Sequence, residues 1–114
     1  MITQSNINEI TNILARKAKL LFGDKLKDVI LFGSCARGEF ADESDVDLMF
    51  LVDMDRINLS RYKSDICKIS SELGMEYNVL VSPILQDMDE FNRFKGDLSF
   101  FRNVELEGVR ISVQ

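Results

Sequence analysis

The stretch Asp45-Val46-Asp47-Leu48-Met49-Phe50-Leu51-Val52 begins acidic and ends in an unbroken apolar run. It is too short for an ordinary core helix and reads as a strand. Asp28-Val29-Ile30-Leu31-Phe32 is a second such run, stopping at Gly33. Two apolar strands this close in sequence demand a sheet and a layer to cover it. The chain has 114 residues, 46% of them hydrophobic, enough for a single domain over 1–114 and too little for two separate cores.

The covering layer is legible as helices. Ile7, Ile10, Ile13, Leu14, Ala18 and Leu21 recur at steps of three and four, with Glu9, Asn12, Arg16 and Lys19 between them. That spacing predicts an amphipathic helix, capped by Ser5 or Asn6 and closed at Gly23. Residues 34–37 predict one helical turn ended by Gly38, and residues 39–44 a polar loop. Asn58-Leu59-Ser60 predicts the cap of a second long helix with Ile66, Ile69, Ser70 and Leu73 inside and Gly74 at its end. Asn78 to Leu85 predicts a third strand, with Val79 and Val81 on one side and Asn78, Leu80 and Ser82 on the other. Asp87 or Asp89 caps a short helix around Phe91 and Phe94, and Leu98, Phe101 and Val104 mark a last one. The expected fold class is α/β (α+β), a small sheet flanked by helices.

Composition excludes several functions. Lys plus Arg is 14 against 19 Asp plus Glu, a net charge of −5, which disfavours a duplex nucleic-acid binder. There is no His, so Ser-His-Asp and Cys-His catalysis and most zinc sites are ruled out. Two cysteines, Cys35 and Cys67, make no disulfide framework and suit a reduced, cytoplasmic chain. No run approaches the roughly 18 apolar residues of a membrane span, and the first residues carry no secretory pattern.

The chemistry concentrates at Gly33-Ser34 and, ten residues on, Asp45-Val46-Asp47. Two aspartates two apart on a strand share a face and repel. A divalent cation between them relieves that repulsion, and hard oxygen ligands suit Mg²⁺. A glycine after a strand lets a phosphate approach the backbone, and the helical turn behind it offers free amides. Ser34 adds a hydroxyl and Arg37 a fixed positive charge. Taken singly, Asp-x-Asp is usually a solvated strand end, Gly-Ser a turn and Arg37 a surface ion pair. Asp53-Met54-Asp55 repeats the spacing but faces no glycine-serine turn and reads as a solvated loop. Phe91, Phe94, Phe100 and Phe101 fit a helical core, and any left exposed points to an interface.

Leu31-Phe32-Gly33-Ser34-Cys35-Ala36-Arg37-Gly38 followed by Ser44-Asp45-Val46-Asp47-Leu48 resembles the signature of the minimal nucleotidyltransferases of the DNA polymerase β superfamily. Weaker similarity runs along nearly the whole chain, and Phe100 to Glu105 with Glu107-Gly108-Val109 resembles the closing segment of small bacterial members. The resemblance implies a polymerase-β-like mixed sheet, two Mg²⁺ ions and a nucleoside triphosphate, usually ATP. It implies that Asp45 and Asp47 are the catalytic, metal-holding pair, and that Gly33, Ser34, Arg37 and Ser44 contact the nucleotide. Fuller members place a third carboxylate on the next strand, where it activates the acceptor. The candidate positions here carry Asn78 and Leu80, and Glu76 lies just before them.

Small members of this type resemble the antitoxin half of a pair whose toxin is an all-helical HEPN ribonuclease. The implied reaction is transfer of AMP to a tyrosine of that toxin. A non-catalytic antitoxin that works by complex formation is the alternative, and a small-molecule (antibiotic) nucleotidyltransferase is a second one. Only about 30 residues follow the third strand, so the acceptor surface is expected from another polypeptide; a homo-oligomer is a separate open expectation.

Overall fold

A computed structural model describes residues 2–41 and 44–112; the loop positions Asp42 and Glu43 lie outside the described residues. Helix α1 spans Gln4–Phe22, and β1 spans Leu26–Phe32 after a short 3₁₀ turn. A four-residue helix, α2 (Ser34–Arg37), leads through the loop to β2 (Val46–Val52). Then come α3 (Arg56–Ser60), α4 (Lys63–Tyr77), β3 (Val81–Asp87), α5 (Met88–Phe94), α6 (Ser99–Glu107) and β4 (Val109–Arg110). The four strands form one mixed sheet in the order β3-β2-β1-β4. β2 runs antiparallel to β1 and parallel to β3. The expected small mixed sheet flanked by helices is therefore present.

Alternation along β2 divides the molecule into two apolar layers. Val46, Leu48, Phe50 and Val52 pack with Ile7, Ile10 and Leu14 of α1 and Ile66 and Leu73 of α4. Met49 and Leu51 turn the other way, against Ile30 of β1, Phe91 of α5, and Phe101 and Val104 of α6. Phe50, Phe91, Leu48 and Met49 are fully buried, so β2 lies at the centre of the molecule. Truncating any of these side chains costs roughly 2–5 kcal/mol. Asp47 shares its face with Met49 and Leu51 and is only partly buried.

Several boundaries differ from those the sequence suggests. Thr3 caps α1 by accepting from the Asn6 amide at 3.1 Å, so the cap precedes Ser5 and Asn6. The second long helix is two helices, and α3 is capped by Asp55 accepting from the Asn58 amide at 2.8 Å. Gly74 does not end α4 but lies buried within it, where a β-carbon would meet the Val79 carbonyl oxygen at 2.5 Å. α4 instead stops at Asn78, a left-handed residue with φ 54°. Asn78 is therefore a helix cap and not part of a strand, and β3 begins three residues later than expected. Leu98 precedes α6 and is half exposed, while Phe101 and Val104 are buried as the spacing requires. β4 is too short to show in the sequence, and Arg110 fixes it by hydrogen bonds to Asp28 at 3.1 Å and Glu105 at 2.9 Å. Pro83 sits in β3, the border strand, opposite Leu48.

Candidate active site around Gly33 and the paired aspartates

Three strands bring the sequence candidates together. Phe32 of β1 lies opposite Asp47 of β2, and Asp47 lies opposite Ser82 of β3. Cross-strand partners face the same way, so Phe32, Asp47 and Ser82 form one row across the sheet. Asp45, two residues before Asp47 along the chain, is next on that face.

Gly33 joins this row to α2. Its φ of 75° and ψ of −157° belong to a region that only glycine occupies readily. A β-carbon there would lie 2.6 Å from Asp47 Oδ2. The chain thus turns against the carboxylate and enters α2, where the Ala36 and Arg37 amides donate to the Gly33 carbonyl at 3.1 and 3.2 Å. Ser34 and Cys35 are the α2 amides not taken up in this way, so an anion beside Asp47 could accept from these two.

The electrostatics match an empty charge pair. Burial, and then the Asp45 charge, push the Asp47 carboxyl above its ordinary range. Neither aspartate forms a salt bridge among the described residues. Cys35 is no nucleophile: its buried thiol donates to the Asp45 carbonyl at 3.2 Å and pins the strand entrance. Burial raises its pKa first, then the charges of Asp47 and Asp45 raise it further.

The remaining candidates are nearby but otherwise engaged. Arg37 is half exposed and contacts Glu39 and Glu107, each at 3.4 Å. Ser44 accepts from the Ala41 amide at 2.8 Å and donates its own amide to the Ala41 carbonyl at 3.0 Å, bracing the loop before Asp45. Asp53 and Asp55 lie past the far end of β2, and Asp55 is a cap, which agrees with a loop role. The position opposite Asp47 is Ser82, which the sequence reading did not single out, because a later strand start moves the register. Leu80 precedes β3, is 62% exposed, and accepts the Val46 amide at 2.9 Å through its carbonyl. Among the described residues no group of three or more His, Cys, Asp or Glu side chains is placed to hold a metal ion.

Comparison with known proteins shows the family and the fold. The family model "Nucleotidyltransferase domain" matches residues 7–108. A chain of Methanocaldococcus jannaschii named "putative protein adenylyltransferase" is 35% identical over 95% of this chain and 96% of its own. A second of the same description and organism is 40% identical over 92% and 98%. Among solved structures, a "putative nucleotidyltransferase" from Sulfolobus solfataricus superposes with a TM-score of 0.63 at 21% identity, covering 97% of this chain and 84% of that one. A mutant of the toxin–antitoxin pair MntA–HpeT gives 0.52 at 15% identity, covering 99% and 75%.

Proposed function

The chain belongs to the nucleotidyltransferase domain family, and from that premise we propose that it transfers AMP from ATP to a tyrosine of a partner HEPN-type toxin and so acts as its antitoxin. The observation that carries the reading is the contact between Gly33 and Asp47, which sets a phosphate-accepting turn directly against a carboxylate pair. The relatives named as protein adenylyltransferases support a protein acceptor.

The donor set fits Mg²⁺. Hard carboxylate oxygens share one strand face, and Asp47 is raised by burial and by Asp45, as expected of a pair that lacks a counter-charge. Mg²⁺ characteristically takes one or two carboxylates and completes its shell with phosphate and water, so a third protein ligand is not required. Asp45 and Asp47 would hold the two ions that the family implies. When bound, the metal supplies Lewis-acid polarisation of the phosphate and neutralises charge developing there.

The chain's own groups do the rest. The Ser34 and Cys35 amides and the Ser34 hydroxyl receive the triphosphate, and Gly33 keeps the backbone close. Arg37 exchanges Glu107 for a phosphate oxygen, and Ser44 holds the loop that precedes Asp45. The tyrosine oxygen then bonds to the α-phosphorus, the bond from that phosphorus to the bridging oxygen breaks, and pyrophosphate leaves. The phenolic proton passes to water. A phenol ionises near pH ~10, far more readily than an aliphatic alcohol, so it depends less on an enzymic base. That suits a site whose third strand presents Ser82 where a carboxylate would stand.

The test is ATP labelled at the α-phosphate, with Mg²⁺ and the partner, an all-helical chain carrying an Arg-x₄-His motif. Label on a partner tyrosine, increasing between pH 7 and 9, is expected. No transfer at any pH would favour the second reading, an inactive antitoxin that neutralises by complex formation. Ser82 and Leu80 are the observations on that side.

A further inference from the structure

Phe100 is 47% exposed on a helix whose neighbouring positions, Phe101 and Val104, are buried. It meets Phe32 edge-to-face, with ring centroids 5.6 Å apart. A cavity of about 270 Å³ opens beside this pair, lined by Phe32, Gly33, Arg37, Phe100, Asn103 and Glu107. Phe32 is the residue opposite Asp47, and Gly33 is the residue pressed against its carboxylate. The cavity therefore begins one residue from the centre of the site.

From this juxtaposition we infer that the cavity is the subsite for the base of the nucleotide, with Phe100 as its stacking platform and Asn103 as the group that reads an adenine edge. The inference deepens the nucleotidyltransferase reading and rests on it. The volume is below the roughly 300–1,000 Å³ of pockets that take whole drug-sized ligands. It suits one planar portion of a ligand whose charged portion lies elsewhere. Phe100 and Asn103 are three apart on α6 and so lie on one helix face. An aromatic ring at that position gives a base a π-surface, and an Asn amide offers one donor and one acceptor, the complement of adenine N6 and N7. Uracil and cytosine present a smaller face to the ring and a different edge to the amide. Arg37, the last residue of α2, also lines this cavity, so its cation can serve the phosphates while the base occupies the pocket.

A larger hollow of about 490 Å³ lies at the other end of β2, where Lys25 and Arg61 face Asp53, Asp55, Asp87 and Asp89. Its four carboxylates outnumber the two cations, and Asp55 and Asp87 are helix caps, so its net charge disfavours a triphosphate.

Calorimetry on the full chain at fixed Mg²⁺ compares ATP, UTP and inorganic tripolyphosphate. The wild type is expected to bind ATP more tightly than tripolyphosphate. Phe100→Ala lowers that ratio about tenfold, in the range of a lost base–aromatic stack. Phe100→Tyr keeps the ring and the ratio, and Asn103→Ala narrows the preference for ATP over UTP. Melting curves confirm that each variant is folded. Unchanged ratios in Phe100→Ala and Asn103→Ala overturn the inference. So does equal binding of ATP and tripolyphosphate by the wild type, which leaves the metal–phosphate reading standing. Failure of the wild type to bind either ligand removes both.

Discussion

Gly33 and Asp47 are in contact across the first strand pair: a β-carbon on the glycine would lie 2.6 Å from the aspartate Oδ2. No L-residue fits there, on two independent grounds. The backbone has φ of 75° with ψ of −157°, and the space that a side chain would need holds the carboxylate. The turn that would meet a phosphate and the carboxylate that would meet a metal are thus one mechanical unit.

Gly33→Ala is therefore expected to damage both properties. Backbone strain alone is worth about 1–3 kcal/mol, and displacement of Asp47 adds to it. The variant should melt lower and lose at least ~10-fold in Mg²⁺-dependent ATP affinity, the equivalent of about 1.4 kcal/mol. Calorimetry with and without EDTA, beside a melting curve, checks both.

Asp47→Asn should separate stability from binding. Burial and the neighbouring Asp45 raise the Asp47 pKa, so the folded chain takes up the proton more readily than the unfolded chain does. Ionised Asp47 therefore opposes folding at neutral pH, and this opposition fades as pH falls below the raised value. In EDTA at pH 7 the variant is expected to melt a few degrees above wild type, with the gap closing in acid. It should at the same time lose any stabilisation by Mg²⁺ and ATP. A lower melting temperature in EDTA would contradict the charge argument.

The register predicts where a third carboxylate can be restored. Ser82 pairs with Asp47, whereas Asn78 is a left-handed helix cap outside the sheet. Ser82→Asp is expected to allow transfer to serine as well as tyrosine, by adding a base beside the metals. Asn78→Asp is expected to change nothing in acceptor choice. Mass spectrometry of the modified partner distinguishes them.

Acid should loosen the far border first. Glu105 is held below the ordinary carboxylate range, chiefly by its hydrogen bond to Arg110, with the Arg110 and Lys95 charges assisting. Its contribution is present above its ordinary pKa and is lost as pH falls through the lowered one. Glu105→Gln should destabilise at pH 7 by under about 1 kcal/mol, because the partners are partly exposed. Wild type and variant should converge in acid, once pH has fallen below the lowered Glu105 value. Amide exchange at Leu31, whose backbone faces β4, reports the change, with Ile30, whose N–H faces β2, as the control.

What the sequence made legible follows a physical division. The layer-forming residues Ile7, Ile10 and Leu14, and the strand from Val46 to Val52, show their periodicity in the residues themselves. The cluster at Gly33-Ser34 and Asp45/Asp47 does so too, because a turn and a two-residue alternation are local. The position opposite Asp47 is not local. It depends on where α4 releases the chain, and Gly74 looks like a stop while serving as a close-packing point. Asn78 takes the terminating conformation instead and so lies outside the sheet, and Ser82 is the residue paired with Asp47. Two-residue β4 has no period to read, and Phe100 differs from Phe101 only through which side of α6 meets the core.

The border strand β3 has a property that bears on solubility. The hydrogen bond from the Val46 amide to the Leu80 carbonyl fixes the phase of the parallel ladder. Ser82, Ile84 and Gln86 spend their backbone groups inward on β2, while Val81, Pro83 and Leu85 direct theirs outward. Pro83 has no N–H, so the outward row lacks a donor between Val81 and Leu85. A strand arriving from another molecule meets that gap and cannot complete a continuous ladder. Replacing Pro83 would restore that donor and remove one obstacle to pairing at this border.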